Sequence, residues 1–164
     1  MRKLIFLVMM TVLFSCQSNI DTNTPASGRN NISYNPYDSI KALDYGADAY
    51  GMKKYVMAFL KRGSNQSLDS AKSTELQKAH LANIVRMAEE GKLVLAGPFF
   101  GNDEIRGIYI FNVENIDEAK KLIETDPAIK AGSLEIELKE WYGSAALQAV
   151  NDIHKTIAKE GIAD

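Results

Sequence analysis

The chain has 164 residues, 46% hydrophobic and 24% charged, enough for one globular domain with appendages. A formal net charge of −2 leaves no basic footprint, so nucleic acid is excluded as a partner, as is a field that would steer an anionic one. The single cysteine, Cys16, takes intrachain disulfides, cysteine-based zinc sites and a thiol nucleophile out of the folded part.

In chain order, Arg2 and Lys3 precede Leu4 to Phe14, an apolar run of eleven residues that is too short to span a membrane. The run ends Leu13-Phe14-Ser15-Cys16, with leucine three before the cysteine and a small residue just before it. This resembles the lipobox of bacterial lipoproteins. By that resemblance 1–15 is a signal peptide and Cys16 is the lipidation site, carrying several acyl chains. The protein is then exported and lipid-anchored to the bacterial cell envelope, at its periplasmic or outer-membrane face, and meets the membrane through the anchor only. Residues 16–35 are polar and read as a flexible tether. The extension 36–52 brings tyrosines, Ile40 and Leu43, and Ser39 to Asp48 reads as a short helix packed on the domain rim.

Lys54 to Leu60 (KYVMAFL) is a central strand. A polar loop from Arg62 to Ser70 leads into a first long helix, Ala71 to Glu90, with Ser70 as N-cap and Gly91 as the left-handed residue that ends it. Lys92 to Ala96 is a second strand, closed by Gly97-Pro98, and a hairpin through Gly101-Asn102-Asp103 leads to a third, Ile105 to Val113. Asn115 and Glu118 have capping-box spacing for a second helix, which runs to Thr125 and stops at Asp126-Pro127. Leu134 to Trp141 alternates like a half-buried strand. Ala145 to Lys159 is amphipathic, with His154 on its packing side. The β-α-β-β-α-β order predicts an α+β, ferredoxin-like sandwich with both helices on one sheet face, over 53–143, and an extra C-terminal helix in 144–164.

Two polar residues interrupt the apolar faces of those helices. On a wheel of 100° per residue, Leu76, Met87, His80, Ile84, Ala88, Leu81 and Val85 form one apolar arc, so His80 falls where an unpaired imidazole is poorly placed. Asp126 falls on the stripe of Ala119, Leu122 and Ile123. In the predicted topology the two helices are antiparallel, which brings the first half of one beside the last turn of the other. His80 and Asp126 are then partners. The same rim receives the loops that carry Ser64, Gly97, Pro98 and Gly132, the candidate substrate-binding positions. A competing reading makes His80 a satisfied core residue, Asp126 a helix stop, and the glycines and proline turn and close-packing devices.

Ala79-His80-Leu81, the run Glu90 to Pro98 (EGKLVLAGP), the run Asp126 to Gly132 (DPAIKAG) and Trp141 together resemble the YciI-like, YCII-related family, in order from about 53 to 141. The resemblance implies a dimeric α/β barrel, hence a homodimer, and a His–Asp pair at a pocket. The best understood activity in that family is cofactor-free dehydrochlorination of a chlorinated, hydroxylated aromatic. Carried over, it makes His80 and Asp126 the candidate catalytic residues, with a small cyclic or phenolic ligand and no cofactor. A metal at the same residues lacks a third ligand at sensible spacing. Three readings stay open: a cofactor-independent lyase, isomerase or hydrolase; a module that binds a small molecule without turning it over; and a structural dimer. In the last, the dimer is what matters; the sheet face away from the helices is expected to be apolar, and Val56, Leu93, Leu95, Ile108, Ile110 and Ile136 are candidates for one face or the other.

Overall fold

The computed structural model describes residues 36–163. The segments read as signal peptide and tether, with Cys16 between them, lie outside the described residues. The compact unit that carries the fold is Tyr37–Asp164. Its elements are α1 (Ser39–Asp44), β1 (Met52–Arg62), α2 (Ser70–Glu89), β2 (Leu93–Pro98), β3 (Ile105–Phe111), α3 (Ile116–Ile123), α4 (Pro127–Lys130), β4 (Leu134–Ser144), a 3₁₀ turn (Ala145–Ala149) and α5 (Val150–Ile157). The sheet order is β2-β3-β1-β4 with every neighbour antiparallel, which is the expected ferredoxin-like α+β arrangement.

Pairing along β1 divides the sheet into two faces. Val56, Ala58 and Leu60 point to the helices and join Leu93, Tyr109 and Phe111 in one cluster with Ile84 and Met87 of α2 and Ala119 of α3. Tyr55, Val94 and Ile110 form a second cluster on the outer face, with Met57, Leu95, Trp141 and Leu147 packed around it. Of the six residues expected on one face or the other, Val56, Leu93 and Ile136 lie inside, and Leu95 and Ile110 outside. Ile108 shares the outer phase through its pairing with Phe59.

Several local expectations shift by a residue or a turn. α2 is capped by Asp69, whose carboxylate accepts from the Lys72 N–H at 2.9 Å, so Ser70 is already the first helical residue. Gly91 ends it with φ +68, and the Lys92 N–H reaches the Met87 carbonyl at 2.9 Å, the bond a left-handed cap permits. Asn115 Oδ1 accepts from the Glu118 N–H at 2.9 Å, and the return bond to Glu118 Oε1 comes from the Asn115 side-chain amide at 3.0 Å, not from the backbone N–H of a full capping box. Gly97 and Pro98 belong to β2 itself. Proline is tolerated there because β2 is an edge strand with no ladder partner on one side. The segment from Asp126 is not a plain loop, since Asp126 caps the short helix α4. The terminal helix is broken too: a 3₁₀ turn capped by Ser144 precedes α5. His154 is exposed rather than packed, and α1 buries none of its residues, so Ile40 and Leu43 face solvent.

Two bulges break the alternation. Leu93 pairs with Phe111 and Leu95 with Ile110, which leaves Val94 as the extra residue of β2. Leu60 pairs with Gly107 and Lys61 with Ile105, which leaves Arg106 as the extra residue of β3. An extra residue changes which side chains face inward beyond it. After the first bulge, Ala96 and Pro98, not Leu95, share the inner phase with Tyr109 and Gly107.

Candidate active site

His80 is delivered by the helical period: it lies one turn before Ile84 and two before Met87, both buried against the sheet. Asp126 is delivered by a chain stop. α3 ends at Ile123, and Pro127 at the first position of α4 requires a preceding residue with extended backbone, here φ −76 and ψ 120. The Asp126 carboxylate turns back to accept from the Ala128 N–H at 2.9 Å. Tyr109 comes from the inner face of β3.

The three side chains meet. His80 Nδ1 lies 2.9 Å from both Asp126 oxygens, and His80 and Asp126 are only 7% and 1% exposed. The Tyr109 hydroxyl sits 3.3 Å from Asp126 Oδ2 and 3.3 Å from His80 Nε2. Among the described residues, no buried side-chain nitrogen or oxygen lacks a partner. An ionised carboxylate is an acceptor only, and its neighbours here are three donors: the Ala128 N–H, the His80 Nδ1–H and the Tyr109 O–H. The network therefore assigns the histidine proton to Nδ1 and leaves a lone pair on Nε2. Burial, and then the Asp126 charge beside it, push the Tyr109 phenol well above its ordinary value of 10.0, so it stays protonated and donates.

Beside this triad lies a cavity of about 520 Å³, within the range of small-molecule sites. Its walls are Gln77, His80, Leu81 and Ile84 of α2, Leu60 of β1, Ala96, Gly97 and Pro98 of β2, and Arg106, Gly107 and Tyr109 of β3. Phe99, Leu134 and Ile162 close its sides. The β2 bulge opens it by turning the small Ala96 and Pro98 inward in place of Leu95. A Cβ on Gly107 would fall 2.6 Å from the Gly97 carbonyl oxygen, so only glycine lets the two strands close there.

The predicted rim residues separate. Gly97 and Pro98 line the cavity with His80. Ser64 is exposed in the loop after β1 and is not a wall residue. Gly132 lines a different groove, with Ile116, Lys120 and Ile123, and its carbonyl accepts from the Asn65 N–H at 3.0 Å. Tyr109 and Arg106 were missed by sequence reasoning. The one signal for Tyr109 was a phenol in an apolar strand (IYIF), whose hydroxyl needs a partner if it is buried.

Fold and site together define a ferredoxin-like α+β domain that holds a buried Asp–His–Tyr cluster against a cavity. The YCII-related domain model matches residues 55–142, and the chain belongs to that family. It is 32% identical over 62 residues to the uncharacterized protein YjpA of Bacillus subtilis, a match covering 38% of this chain and 71% of the relative. Among solved structures it is similar to the 5-chloro-2-hydroxyhydroquinone dehydrochlorinase TftG of Burkholderia phenoliruptrix, in complex with 2,5-dihydroxybenzoquinone. That likeness has 23% identity and a TM-score of 0.41, covering 52% of this chain and 92% of that one.

Proposed function

We propose that this cavity is the active site of a cofactor-independent lyase or isomerase acting on a small cyclic or phenolic molecule, with His80 as general base. The observation that carries the reading is an imidazole oriented through Nδ1 by a buried carboxylate, with His80 in the wall of a ligand-sized cavity. A C–H or ring O–H proton moves to Nε2. The freed electron pair forms the new π bond, and the leaving group departs with the pair of its own bond. Asp126 holds the tautomer and stabilises the imidazolium that forms. Tyr109 stays protonated and holds Asp126 in place, and where the reaction is an isomerisation the Nε2–H returns the proton to the new position. No oxidant or reductant enters the balance.

The test is halide release and ring-absorbance change across a panel of halogenated hydroquinones and catechols. Turnover in the native chain that falls by about a hundredfold or more in His80→Ala, with unchanged circular dichroism, supports the reading. Turnover that persists in that variant overturns it, as does ligand binding without turnover, which makes the cavity a binding site.

The same proposal places a second copy of the chain on the outer sheet face and a lipid anchor at Cys16. Met57 and Phe59 are half-buried apolar residues on that face. The family's barrel form supports the pairing. Light scattering should give a dimer that Phe59→Glu converts to a monomer. Cys16→Ser should move the protein from the membrane to the soluble fraction.

A further inference from the structure

Arg106 is the residue of this cavity wall that the proton chemistry leaves unused. It is the extra residue of the β3 bulge, and its neighbour Gly107 carries no side chain to compete for the space. Its Nη1 is committed to the hairpin, donating to the Gly101 carbonyl at 3.2 Å, Asn102 Oδ1 at 3.3 Å and the Asp103 carbonyl at 3.4 Å. Among the described residues, its Nε and Nη2 donate to nothing, and no carboxylate lies within ion-pairing distance of it. A second guanidinium stands close by. Arg62 Nη2 donates to the carbonyl and side chain of the same Asn102, at 3.1 and 2.5 Å, and among the described residues it too has no ion pair. The hairpin thus gathers two cations around one amide. One of them is a wall residue with an open side edge.

From this geometry we infer that Arg106 reads a carboxylate on the ligand, so that the site takes a small cyclic or aromatic acid. The inference rests on the reading of this cavity as the ligand site. Nε–H and Nη2–H are the parallel pair of a guanidinium, and they match the two oxygens of a carboxylate better than the single oxygen of a phenolate. The distance suits one ring. Arg106 and Tyr109 are three residues apart on β3, roughly 10 Å of strand, so a carboxylate at one and an acidic proton near His80 fit on a single substituted ring. Arg106 acts here in binding and orientation; the reacting proton belongs to His80.

The test is binding, which keeps it separate from turnover. Affinities of 4-hydroxybenzoate and its neutral isostere 4-hydroxybenzamide are measured by ligand-observed NMR on the native chain, Arg106→Gln, Arg106→Lys and His80→Ala. The native chain should hold the acid about tenfold more tightly than the amide. Arg106→Gln should abolish that preference while leaving the amide unchanged, which also reports an intact cavity, and Arg106→Lys should restore part of it. His80→Ala should keep the preference even where it has no turnover. Equal affinity for the two probes in the native chain overturns the inference, as does a preference that survives in Arg106→Gln. Failure of the acid to bind at millimolar concentration overturns it as well. An Arg106-dependent preference in a chain without His80-dependent turnover leaves this inference standing and removes the lyase.

Discussion

Tyr109 and Tyr55 are both enclosed, at 2% and 0% exposure, one on each face of the sheet. Burial raises both phenols above their ordinary value, but their hydroxyls have different company. Tyr55 donates to the Ser144 carbonyl at 3.1 Å and accepts from Gln148 Nε2 at 3.2 Å, so it ties the C-terminal segment to the sheet. Tyr109 meets a carboxylate and an imidazole beside a cavity. The same residue type at the same depth serves as a fastener on one face and joins a buried carboxylate–imidazole pair on the other. A buried phenol points to chemistry only when its partners can themselves exchange a proton.

The largest effect that would break this contrast is on the inner face. Asp126→Ala leaves the Ala128 N–H, the imidazole and the Tyr109 hydroxyl without their common acceptor. It should cost about 3 kcal/mol in urea denaturation. On the outer face, Leu147→Ala removes half-buried packing over Tyr55, Val94 and Ile110, for about 2 kcal/mol by the same measurement. Tyr55→Phe should cost about 1 kcal/mol, with faster proteolysis after Ser144 as the separate sign of a loosened C-terminal segment.

The pH dependence sharpens the comparison further. The folded chain keeps the Tyr109 proton to a higher pH than the unfolded chain does, so above 10.0 the native state binds more protons and stability falls as pH rises. Tyr109→Phe should flatten this alkaline loss in melts followed by circular dichroism. The smallest effect belongs to the open half of the outer face. There Lys139 first, and then Lys61, hold the Glu137 carboxyl at about 2. A lowered value contributes stability above the ordinary 4.5 and loses it as pH falls through about 2. Because these groups are solvated, Glu137→Gln should leave the melting temperature at neutral pH unchanged.

The site was legible in part. His80 and Asp126 stand out because each interrupts an apolar helical stripe, and a period of 3.6 is a local property that needs no tertiary knowledge. Their meeting followed from an antiparallel pair of helices in a recognisable element order, and the structure puts them 2.9 Å apart. Tyr109 and Arg106 were not legible, for a shared reason. Each depends on strand phase, and one inserted residue reverses phase for everything beyond it. Nothing in KLVLAGP or EIRGIYIF marks Val94 or Arg106 as that insertion, because a bulge is defined by the strand opposite. The outer face is apolar, as expected. The packing of Leu147 over Tyr55, Val94 and Ile110 was not legible, because it too depends on strand phase.

By itself the sequence determined what short-range physics controls: where helices begin and end, which of their faces are apolar, and which polar residues violate that pattern. Caps, prolines and periodicity act over a few residues and are written in the chain. Tertiary structure alone decided the register of the sheet, and with it the inward turn of Ala96, the place of Tyr109 and the exposure of one edge of Arg106. Register comes from pairing between strands that lie far apart in sequence, where the free energy of a one-residue slip depends on every side chain it would turn over.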